Sequence, residues 1–505
     1  MICTATGRKL SRPSRALIVM TAAILLPVGG CAVGPDFKKP VAPNVSGYTR
    51  EPLSITAATP NIAGGRSQLF TEGADISGDW WTLFQSKPLN DLIEQSLANN
   101  PDLKAARTAL SVSRENVLAQ RGAYYPAVTA GIAAARYDQP GSLAPVPSTN
   151  AFQYDLFTPQ LSVSYVPDVF GLNHRTVESL QAQEEATRFQ MIATFTTLTS
   201  NVVVTAIQEA SVRAQIEATR RAVDANTDMV KILQYQLEKG YSSGLDLAAQ
   251  KSQLAQIAAS LPPLLKQEAQ LHDLLAVLTG RFPSEVPAEN LSLSNLQLPE
   301  QLPVSLPSKL VAQRPDVRQA QANLHAASAQ IGIAVANRLP NIQLTANAGS
   351  TALAIGQVFG PGTGFWSVGT ALTAPIFDGG TLLRQERAAR ANYDQAAEEY
   401  RSTVLTAFQS VADTLTALEQ DAKGLNAAAA ATDAAKVTLD LSQRQFHDGY
   451  AGYLSLLNAE QAYEQTRVAL VQAQASRYAD TAALYQALGG GWWHQTDLAD
   501  ETHEN

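Results

Sequence analysis

The side chains that most often catalyse reactions or bind metals are few and scattered in this chain. The six histidines are His174, His272, His325, His447, His494 and His503. No two of them stand at metal-ligand spacing, and no cysteine joins them. The run Gly360-Pro361-Gly362-Thr363-Gly364 resembles a phosphate-binding loop only superficially, because it has no lysine and lies between two predicted strands. A hairpin turn is the better interpretation. We therefore predict no enzymatic activity, no cofactor and no metal.

Cys31 is the residue for which a covalent modification is predicted. Four basic residues precede an apolar run at 16–26, and Val28-Gly29-Gly30 leads to the cysteine. A charged start, an apolar run too short to span a bilayer and small residues before a cut site are typical of a secretory signal. The last four residues resemble the bacterial lipobox, in which the cysteine becomes the new N-terminus and is lipidated. We expect loss of residues 1–30 and attachment of a diacylglycerol and an N-acyl chain, such as palmitate, to Cys31. The alternative is a chance cysteine beside an ordinary signal.

The balance of charge excludes one class of partner. Loss of the signal would remove four basic and no acidic residues, and would change the formal charge from −8 to −12. An acidic balance argues against binding to nucleic acid and is compatible with a lumen that attracts cations. No apolar stretch after Leu26 is long enough for a membrane helix. Any crossing of a membrane would therefore be made by strands.

The structural elements of this chain are predicted to occur twice. Asn100-Pro101-Asp102-Leu103 is matched by Arg314-Pro315-Asp316-Val317, and Tyr125-Pro126 by Leu339-Pro340, both at an offset of 214 residues. A duplication of this length predicts two copies of one unit. Each copy is interpreted as a helix, a strand, a loop, a second strand and two long helices around a glycine turn.

The predicted organisation has six parts. They are a signal at 1–30, an extended segment with a short amphipathic helix at 31–100, a first repeat at 101–280, a Pro-rich linker at 281–307, a second repeat at 308–489 and a disordered tail at 490–505.

Four strands are predicted from alternating apolar and polar residues. They lie at about 127–137, 155–166, 341–350 and 365–376. Strands of roughly ten residues have the length that a tilted membrane strand needs. Four strands cannot close a barrel, and lipid does not tolerate an open sheet edge, so copies from other chains would have to complete the structure. The alternative is a pair of surface hairpins on a soluble helical protein.

Two very long helices follow the hairpins, from Phe170 to about Lys239 and from Gly380 to about His447. At about 1.5 Å per residue, each would be roughly 100 Å long. The glycine turns at 240–244 and 449–452 then become the far ends of two helical hairpins. These turns are where a partner or a gate would lie.

The whole pattern resembles the TolC-like outer-membrane channel family, in its lipoprotein (NodT-type) branch that serves tripartite RND efflux systems. The matching features are the segment 31–37, Asp79-Trp80-Trp81, the duplicated Pro-Asp starts and the two turn segments. The resemblance implies a mostly α fold with a transmembrane β-barrel. It also implies a homotrimer, in which twelve strands close one barrel and twelve helices form a periplasmic α-barrel tunnel.

The resemblance also implies a gate at the ends of the helical hairpins. Asp246 lies where the family places an acidic residue that bonds the neighbouring hairpin, and Leu454 lies where an apolar constriction is usual. Asn458 replaces an aspartate of many relatives, and Ser455 replaces a second acid of some, which argues against a strong acidic ring. The alternative role for Asp246 is to cap its helix. The residues expected to contact an adaptor or pump are Gly240, Tyr241, Gly244, Gly449, Tyr450 and Gly452.

The function implied is that of a passive exit duct in the outer membrane of a Gram-negative cell. Its expected partners are a periplasmic adaptor (membrane fusion) protein, an inner-membrane RND-type transporter and outer-membrane lipid. Two alternatives remain: a duct for type I protein or siderophore export, and a lipid-tethered periplasmic coiled-coil scaffold without a pore.

Overall fold

The computed structural model describes residues 32–51, 53–138, 153–285 and 291–495. The predicted signal, Cys31 and the last ten residues of the predicted tail lie outside these ranges. In the described residues the strands are β1 (Leu69–Glu72), β2 (Ala127–Asp138), β3 (Gln153–Tyr165), β4 (Gln301–Val304), β5 (Asn341–Ser350) and β6 (Gly364–Thr373). The α-helices are α1 (Lys87–Asn99), α2 (Pro101–Arg121), α3 (Leu172–Glu238), α4 (Gly244–Leu278), α5 (Pro307–Gln313), α6 (Pro315–Ala336), α7 (Thr381–His447) and α8 (Tyr453–Ala487).

The duplication is visible in the lengths of the long helices. Helices α3 and α7 each contain 67 residues, and helices α4 and α8 each contain 35. In the second repeat the predicted single helix from 308 is divided at Arg314 into α5 and α6. The division is caused by Pro315, which disfavours helical backbone at the residue before it.

The described chain divides into two compact units. Unit 1 contains residues 32–37, 116–138, 153–180 and 326–393, and unit 2 contains residues 38–51, 53–115, 181–285, 291–325 and 394–495.

Unit 1 contains a four-stranded sheet in which every pair of neighbours is antiparallel, in the order β2-β3-β5-β6. Strands β3 and β5 join the two hairpins, with Val163 opposite Ala346. The outer edges of β2 and β6 pair with no other strand in the described part of the chain. The sheet therefore presents two open edges.

The two faces of this sheet differ in chemistry, as the register shows. One face carries mainly apolar side chains: Val128, Ala130, Ile132, Leu161, Val163, Leu344, Ala346, Trp366, Val368 and Leu372. The other face carries uncharged polar side chains: Thr129, Gln160, Ser162, Ser164, Gln343, Thr345, Asn347 and Ser367. On the apolar face large side chains are exposed, including Ile132 at 84% and Trp366 at 78%. Exposed apolar side chains in such a continuous area indicate that another apolar phase covers them.

Unit 2 has an aromatic core. Trp80 and Phe84 are fully buried, and the ring of Trp80 stacks on that of Tyr485 with centroids 5.1 Å apart. Trp81 is also buried. These aromatic residues lie in a 3-10 helix, Trp80–Phe84.

Two predicted irregular segments of unit 2 contain regular structure. The linker at 281–307 includes β4, which pairs in parallel with β1 of the N-terminal segment. The predicted disordered tail starts too early, because residues 492–494 form a 3-10 helix. Trp492 is buried there, and its Nε1 donates to the Gln313 carbonyl at 2.7 Å. Both elements depend on pairing partners far away in sequence.

The duplicated Pro-Asp motifs join helices end to end. The Asn100 Nδ2 donates to the Leu278 carbonyl at the end of α4 (3.0 Å), and its Oδ1 accepts from the Asp102 backbone N–H at the start of α2 (2.9 Å). In the second copy, Arg314 Nη1 donates to the Ala487 carbonyl at the end of α8 (2.9 Å). Each side chain satisfies backbone groups that a helix end leaves unpaired. The residue before each proline thus links two helices.

Helix α3 is the one helix of the described chain that is long and apolar enough to span a membrane by composition. No such stretch was predicted from the sequence. However, 67% of this window is buried inside the structure, as in the core helix of a folded unit. Burial accounts for the apolar composition of α3.

Candidate functional site

The two glycine turns have the same backbone geometry. The Tyr241 N–H donates to the Gln236 carbonyl and the Gly240 N–H to the Leu237 carbonyl, at 2.8 and 3.0 Å. The Tyr450 and Gly449 N–H groups make the equivalent bonds to residues 445 and 446, at 2.8 and 3.1 Å. This is the Schellman motif, which requires a left-handed residue, and both glycines have a φ near +78°. We call residues 239–244 tip 1 and residues 448–452 tip 2.

An exposed tyrosine follows the glycine in each tip. Tyr241 is 83% exposed and Tyr450 is 87% exposed. Gly244 is the first residue of α4, and Gly452 is the N-cap of α8. The predicted adaptor-contacting residues therefore lie together at each tip, with an aromatic ring available to a partner.

Asp246 caps its own helix. The Ser243 hydroxyl accepts from the Asp246 backbone N–H (3.1 Å), and the Asp246 carboxylate accepts from the Ser243 N–H (3.2 Å) and hydroxyl (2.7 Å). This reciprocal arrangement is a capping box. Of the two roles considered for Asp246, the structure therefore shows helix capping. The bond to a neighbouring hairpin stays a prediction.

The predicted constriction residues share one exposed face of α8. Leu454, Ser455 and Asn458 are exposed, and Leu454 is 63% exposed. Tyr453, between them and tip 2, is buried. The first turns of α8 therefore separate an exposed face with the predicted gate residues from a face that packs inside the chain.

A small apolar cluster lies beneath the tips and brings together all four long helices. Its buried members are Leu233 of α3 and Tyr453, Leu456 and Leu457 of α8, and partly buried side chains of α4 and α7 pack against it. The rings of Tyr453 and Phe446 of α7 meet edge to face at 5.7 Å. We call this group the tip cluster.

A buried chain of polar side chains crosses the tip cluster. The Tyr453 hydroxyl donates to Gln250 Oε1, and Gln250 Nε2 donates to Asn226 Oδ1 at 2.8 Å. Asn226 Nδ2 then donates to the Ala222 carbonyl at 2.8 Å. Gln250 is fully buried. This series of hydrogen bonds therefore joins α3, α4 and α8, and it connects the two helical hairpins of the polypeptide.

The electrostatics of the tip cluster favour a neutral Tyr453. Burial, followed by the negative charges of Glu460 and Asp246, raises the pKa of the Tyr453 phenol. The hydroxyl therefore keeps its proton and remains a hydrogen-bond donor to Gln250 over the whole physiological pH range.

A second buried polar group of unit 2 lies away from the tips. Burial, and then a hydrogen bond with Asp480, raises the pKa of Asp421 from 3.8 to about 7, and Arg477 opposes this shift. Arg477 is fully buried, and its Nη2 donates to Thr56 Oγ1 and to the Arg66 carbonyl, both at 2.8 Å. The Asp421 carboxyl group can thus keep its proton close to neutral pH.

The remaining predicted site residue, Cys31, lies outside the described residues. Within the described ranges no group of three or more histidine, cysteine, aspartate or glutamate side chains is arranged to hold a metal ion.

The sequence did not reveal the polar residues beneath the tips. Gln250 and Asn226 lie in predicted helices that are rich in alanine and glutamine. In such a sequence no pattern distinguishes a buried glutamine from a solvent-exposed one. The only available signal was Tyr453, an aromatic residue at the start of a helix near the tip. Their role depends on contacts between helices that are far apart in sequence.

The fold and the twin tips define a class of protein. Residues 92–281 and 306–490 match the model of the outer membrane efflux protein family, and the chain belongs to that family. It is 29% identical over 490 residues to the toluene efflux pump outer membrane protein TtgC of Pseudomonas putida, covering 96% of this chain and 97% of TtgC. It is 28% identical over 454 residues to the pyoverdine export outer membrane protein OpmQ of Pseudomonas aeruginosa, covering 88% of this chain and 94% of OpmQ.

A solved structure agrees with this assignment. The outer-membrane channel OprN matches with a TM-score of 0.81 and 25% identity, covering 92% of this chain and all of the OprN chain. The predicted TolC-like fold, with long helical hairpins and a small β part, is confirmed. The prediction of an outer-membrane efflux channel is also confirmed.

Proposed function

We propose that three copies of the lipidated chain form the outer-membrane duct of a tripartite efflux pump. Small molecules would pass through this duct from the periplasm to the exterior without chemical change. The observation that supports the proposal best is the sheet of unit 1, with one apolar face, one uncharged polar face and two open edges.

The strand directions allow closure by identical chains. Because β2, β3, β5 and β6 alternate in direction, β6 of one copy would run antiparallel to β2 of the next. A ring of such sheets is antiparallel throughout and leaves no edge in lipid. Two, three or four copies would each give an even strand number, and the resemblance to TolC-like channels favours three. The apolar face would then meet lipid and the polar face would line the pore.

The partners we propose are a periplasmic adaptor and an inner-membrane RND-type transporter. The paired tips, each with an exposed tyrosine after a rigid Schellman turn, are suited to contact an adaptor. The pump would supply the energy for transport. TtgC and OpmQ carry efflux and export in their names, which supports a role in transport.

The proposal includes a lipid on Cys31, made of a diacylglycerol and an N-acyl chain. Its support is the signal-like start and the small residues before the cysteine. The lipid would add an anchor to the outer membrane, to which the barrel already holds the protein.

The assignment of the two sheet faces can be tested with two neighbouring substitutions in β6. Val368→Lys places a charge on the apolar face and should cost roughly 2–4 kcal/mol near the membrane midplane, which would reduce assembly in the outer membrane. Ser367→Lys, its matched control, places the same charge on the polar face. It should assemble normally and shift the ion selectivity of the channel in a planar bilayer towards anions.

The decisive measurement combines cross-linked mass of detergent-purified protein with single-channel conductance. A trimer with stable conductance supports the duct. A water-soluble monomer without conductance would refute it and favour the lipid-tethered scaffold. Equal assembly of Val368→Lys and Ser367→Lys would refute the assignment of faces.

A second candidate substrate class is siderophores, which the similarity to OpmQ favours. Deletion of the gene should then leave newly made siderophore in the periplasm. Normal secretion of siderophore, together with increased sensitivity to toluene or antibiotics, would favour the drug duct.

A further inference from the structure

A buried arginine holds the first described residues of the chain. Arg175, in the first turn of α3, is 3% exposed. Its Nε donates to the Val33 carbonyl at 3.0 Å, and its Nη2 donates to Asp36 Oδ1 at 2.8 Å and to the Gly34 carbonyl at 3.4 Å. Its Nη1 donates to Glu178 Oε2 at 2.7 Å. Three of these four acceptors belong to residues 33–36.

Glycines allow the backbones to approach closely at the same place. A Cβ on Gly34, which has a φ of +96°, would lie 2.4 Å from the Gly332 Cα. A Cβ on Gly171 would lie 2.5 Å from the Ala32 Cα. Real side-chain carbons do not approach backbone atoms so closely, so each of these positions accepts only glycine. The contact is therefore shaped to residues 32–34.

The N-terminal segment is also bonded through its backbone. The Val33 N–H donates to the Phe170 carbonyl at 3.1 Å. An arginine that is buried without acceptors is strongly destabilising, because its charge loses water and gains nothing in return. The bonds from residues 33–36 offset this cost for Arg175, so the segment and the arginine stabilise each other.

The contact lies beside one end of the four-stranded sheet. Arg175 follows the last residue of β3 by ten positions, and Gly332 precedes the first residue of β5 by nine. Tyr165, at the end of β3, pairs with Leu344, near the start of β5, so these two connections leave the same end of the sheet. One shared cavity there is lined by residues 166–170, 172, 336, 337 and 339–342.

We propose that Arg175, Gly171 and Gly332 form a receptor for residues 32–36, which holds the start of the described chain beside this end of the sheet. We call it the N-terminal receptor. The role of this receptor rests on the proposed function. A lipid attached to the residue before Ala32 would enter the membrane at the place where the barrel enters it. In that arrangement the anchor and the barrel would hold the protein at one depth in the bilayer.

Trypsin cleavage after Lys38 tests the receptor in the full-length protein. Lys38 is exposed and follows the bound residues directly, whereas the Lys39-Pro40 bond resists trypsin. Cleavage needs an extended stretch on both sides of the bond, so release of residues 32–37 should accelerate it. We expect Arg175→Met and Gly34→Ala to raise the cleavage rate of the detergent-purified protein about tenfold or more. Asp36→Ala should raise it less, because its carboxylate is 91% exposed.

The matched control is Gly47→Ala, in the same N-terminal segment. A Cβ on Gly47 would meet only the Thr49 carbonyl, at 4.0 Å, so its cleavage rate should equal that of the wild type. Because loss of Arg175 could impair folding, Gly34→Ala provides a second test, which changes the bound segment and leaves the helices of the receptor unaltered. Wild-type cleavage rates for folded Arg175→Met and Gly34→Ala would overturn the proposal, as would equal acceleration by Gly47→Ala.

The mass of the released peptide separates this inference from the proposed lipidation. A peptide 31–38 that carries acyl chains supports the lipid, whatever its rate of release. An unmodified peptide released at variant-dependent rates would refute the lipid but support the receptor. An acylated peptide released at one rate from all variants would support the lipid and refute the receptor.

Discussion

Tyr453→Phe should loosen the link between the two helical hairpins at the tips. The substitution removes the hydroxyl that donates to Gln250 Oε1 and keeps the ring that packs against Phe446. Gln250 is fully buried, so its oxygen would be left without this donor. An unsatisfied buried acceptor costs roughly 1–3 kcal/mol.

This magnitude predicts a measurable change in gating. If the two hairpins of one chain separate when the tips open, a loss of about 1.4 kcal/mol would raise the open-to-closed ratio about tenfold. We expect a higher open probability in planar bilayers and greater uptake of large antibiotics by cells. The cause would be the weaker closed state, since the ring packing is unchanged.

Tyr450→Phe is the matched control, because it removes the same hydroxyl from an 87% exposed ring in tip 2. It should leave open probability unchanged. If Tyr453→Phe leaves open probability and uptake at the wild-type level while the thermal stability falls, then the hairpins of one chain do not separate during opening, and the reasoning is refuted.

Three further substitutions test the tip, the buried acids and the joined helices. Asp246→Ala should cost up to about 1 kcal/mol, because it removes the carboxylate half of the capping box and keeps the Ser243 half. If Asp246 also latches the neighbouring hairpin, this substitution should raise conductance; Asp246→Asn keeps an acceptor for the Ser243 N–H, and equal conductance of both variants with the wild type would exclude the latch. Since the pKa of Asp421 is raised from 3.8 to about 7, its contribution to stability is complete below about pH 4 and is lost as pH rises through 7. Asp421→Asn should therefore flatten the fall in melting temperature between pH 4 and 8, and the exposed Asp440→Asn should not; a wild-type profile for Asp421→Asn would contradict this. Asn100→Ala leaves the Asp102 N–H at the start of α2 without its acceptor, and the Leu278 carbonyl keeps the Ser96 hydroxyl as its only side-chain donor among the described residues. Thermal melting should show a loss of roughly 1–2 kcal/mol, and an unchanged melting curve would show that water replaces these bonds.

Local pattern was sufficient to predict the long elements. Period-two alternation placed the strand at 341–350 at the observed residues, and the long helices were predicted within two residues of their observed ends. These predictions succeeded because side-chain period and glycine turns act over a few residues. The break at Arg314 was missed, although Pro315 was visible, because helical composition continues on both sides of it.

The residues that hold distant parts together could not be predicted. β4 and β1 are each only four residues long and pair across more than 200 positions of sequence. Trp492 is ordered by a bond to Gln313, and without that partner its surroundings looked like a flexible end. Arg175 looked like one more charge on a long helix, and its burial depends on residues 33–36.

The sequence by itself determined the duplication, the strand and helix periods, the two glycine tips and the resemblance that led to the efflux channel family. Each of these depends on order along the chain, which the sequence contains in full. Only the tertiary structure decided which face of each strand is apolar across the whole sheet, which buried amide bonds Tyr453, and which arginine receives the N-terminal segment. Those outcomes depend on groups that are far apart in sequence and become close in space only in the folded chain. Hydrogen bonding and desolvation act only between groups that are close in space.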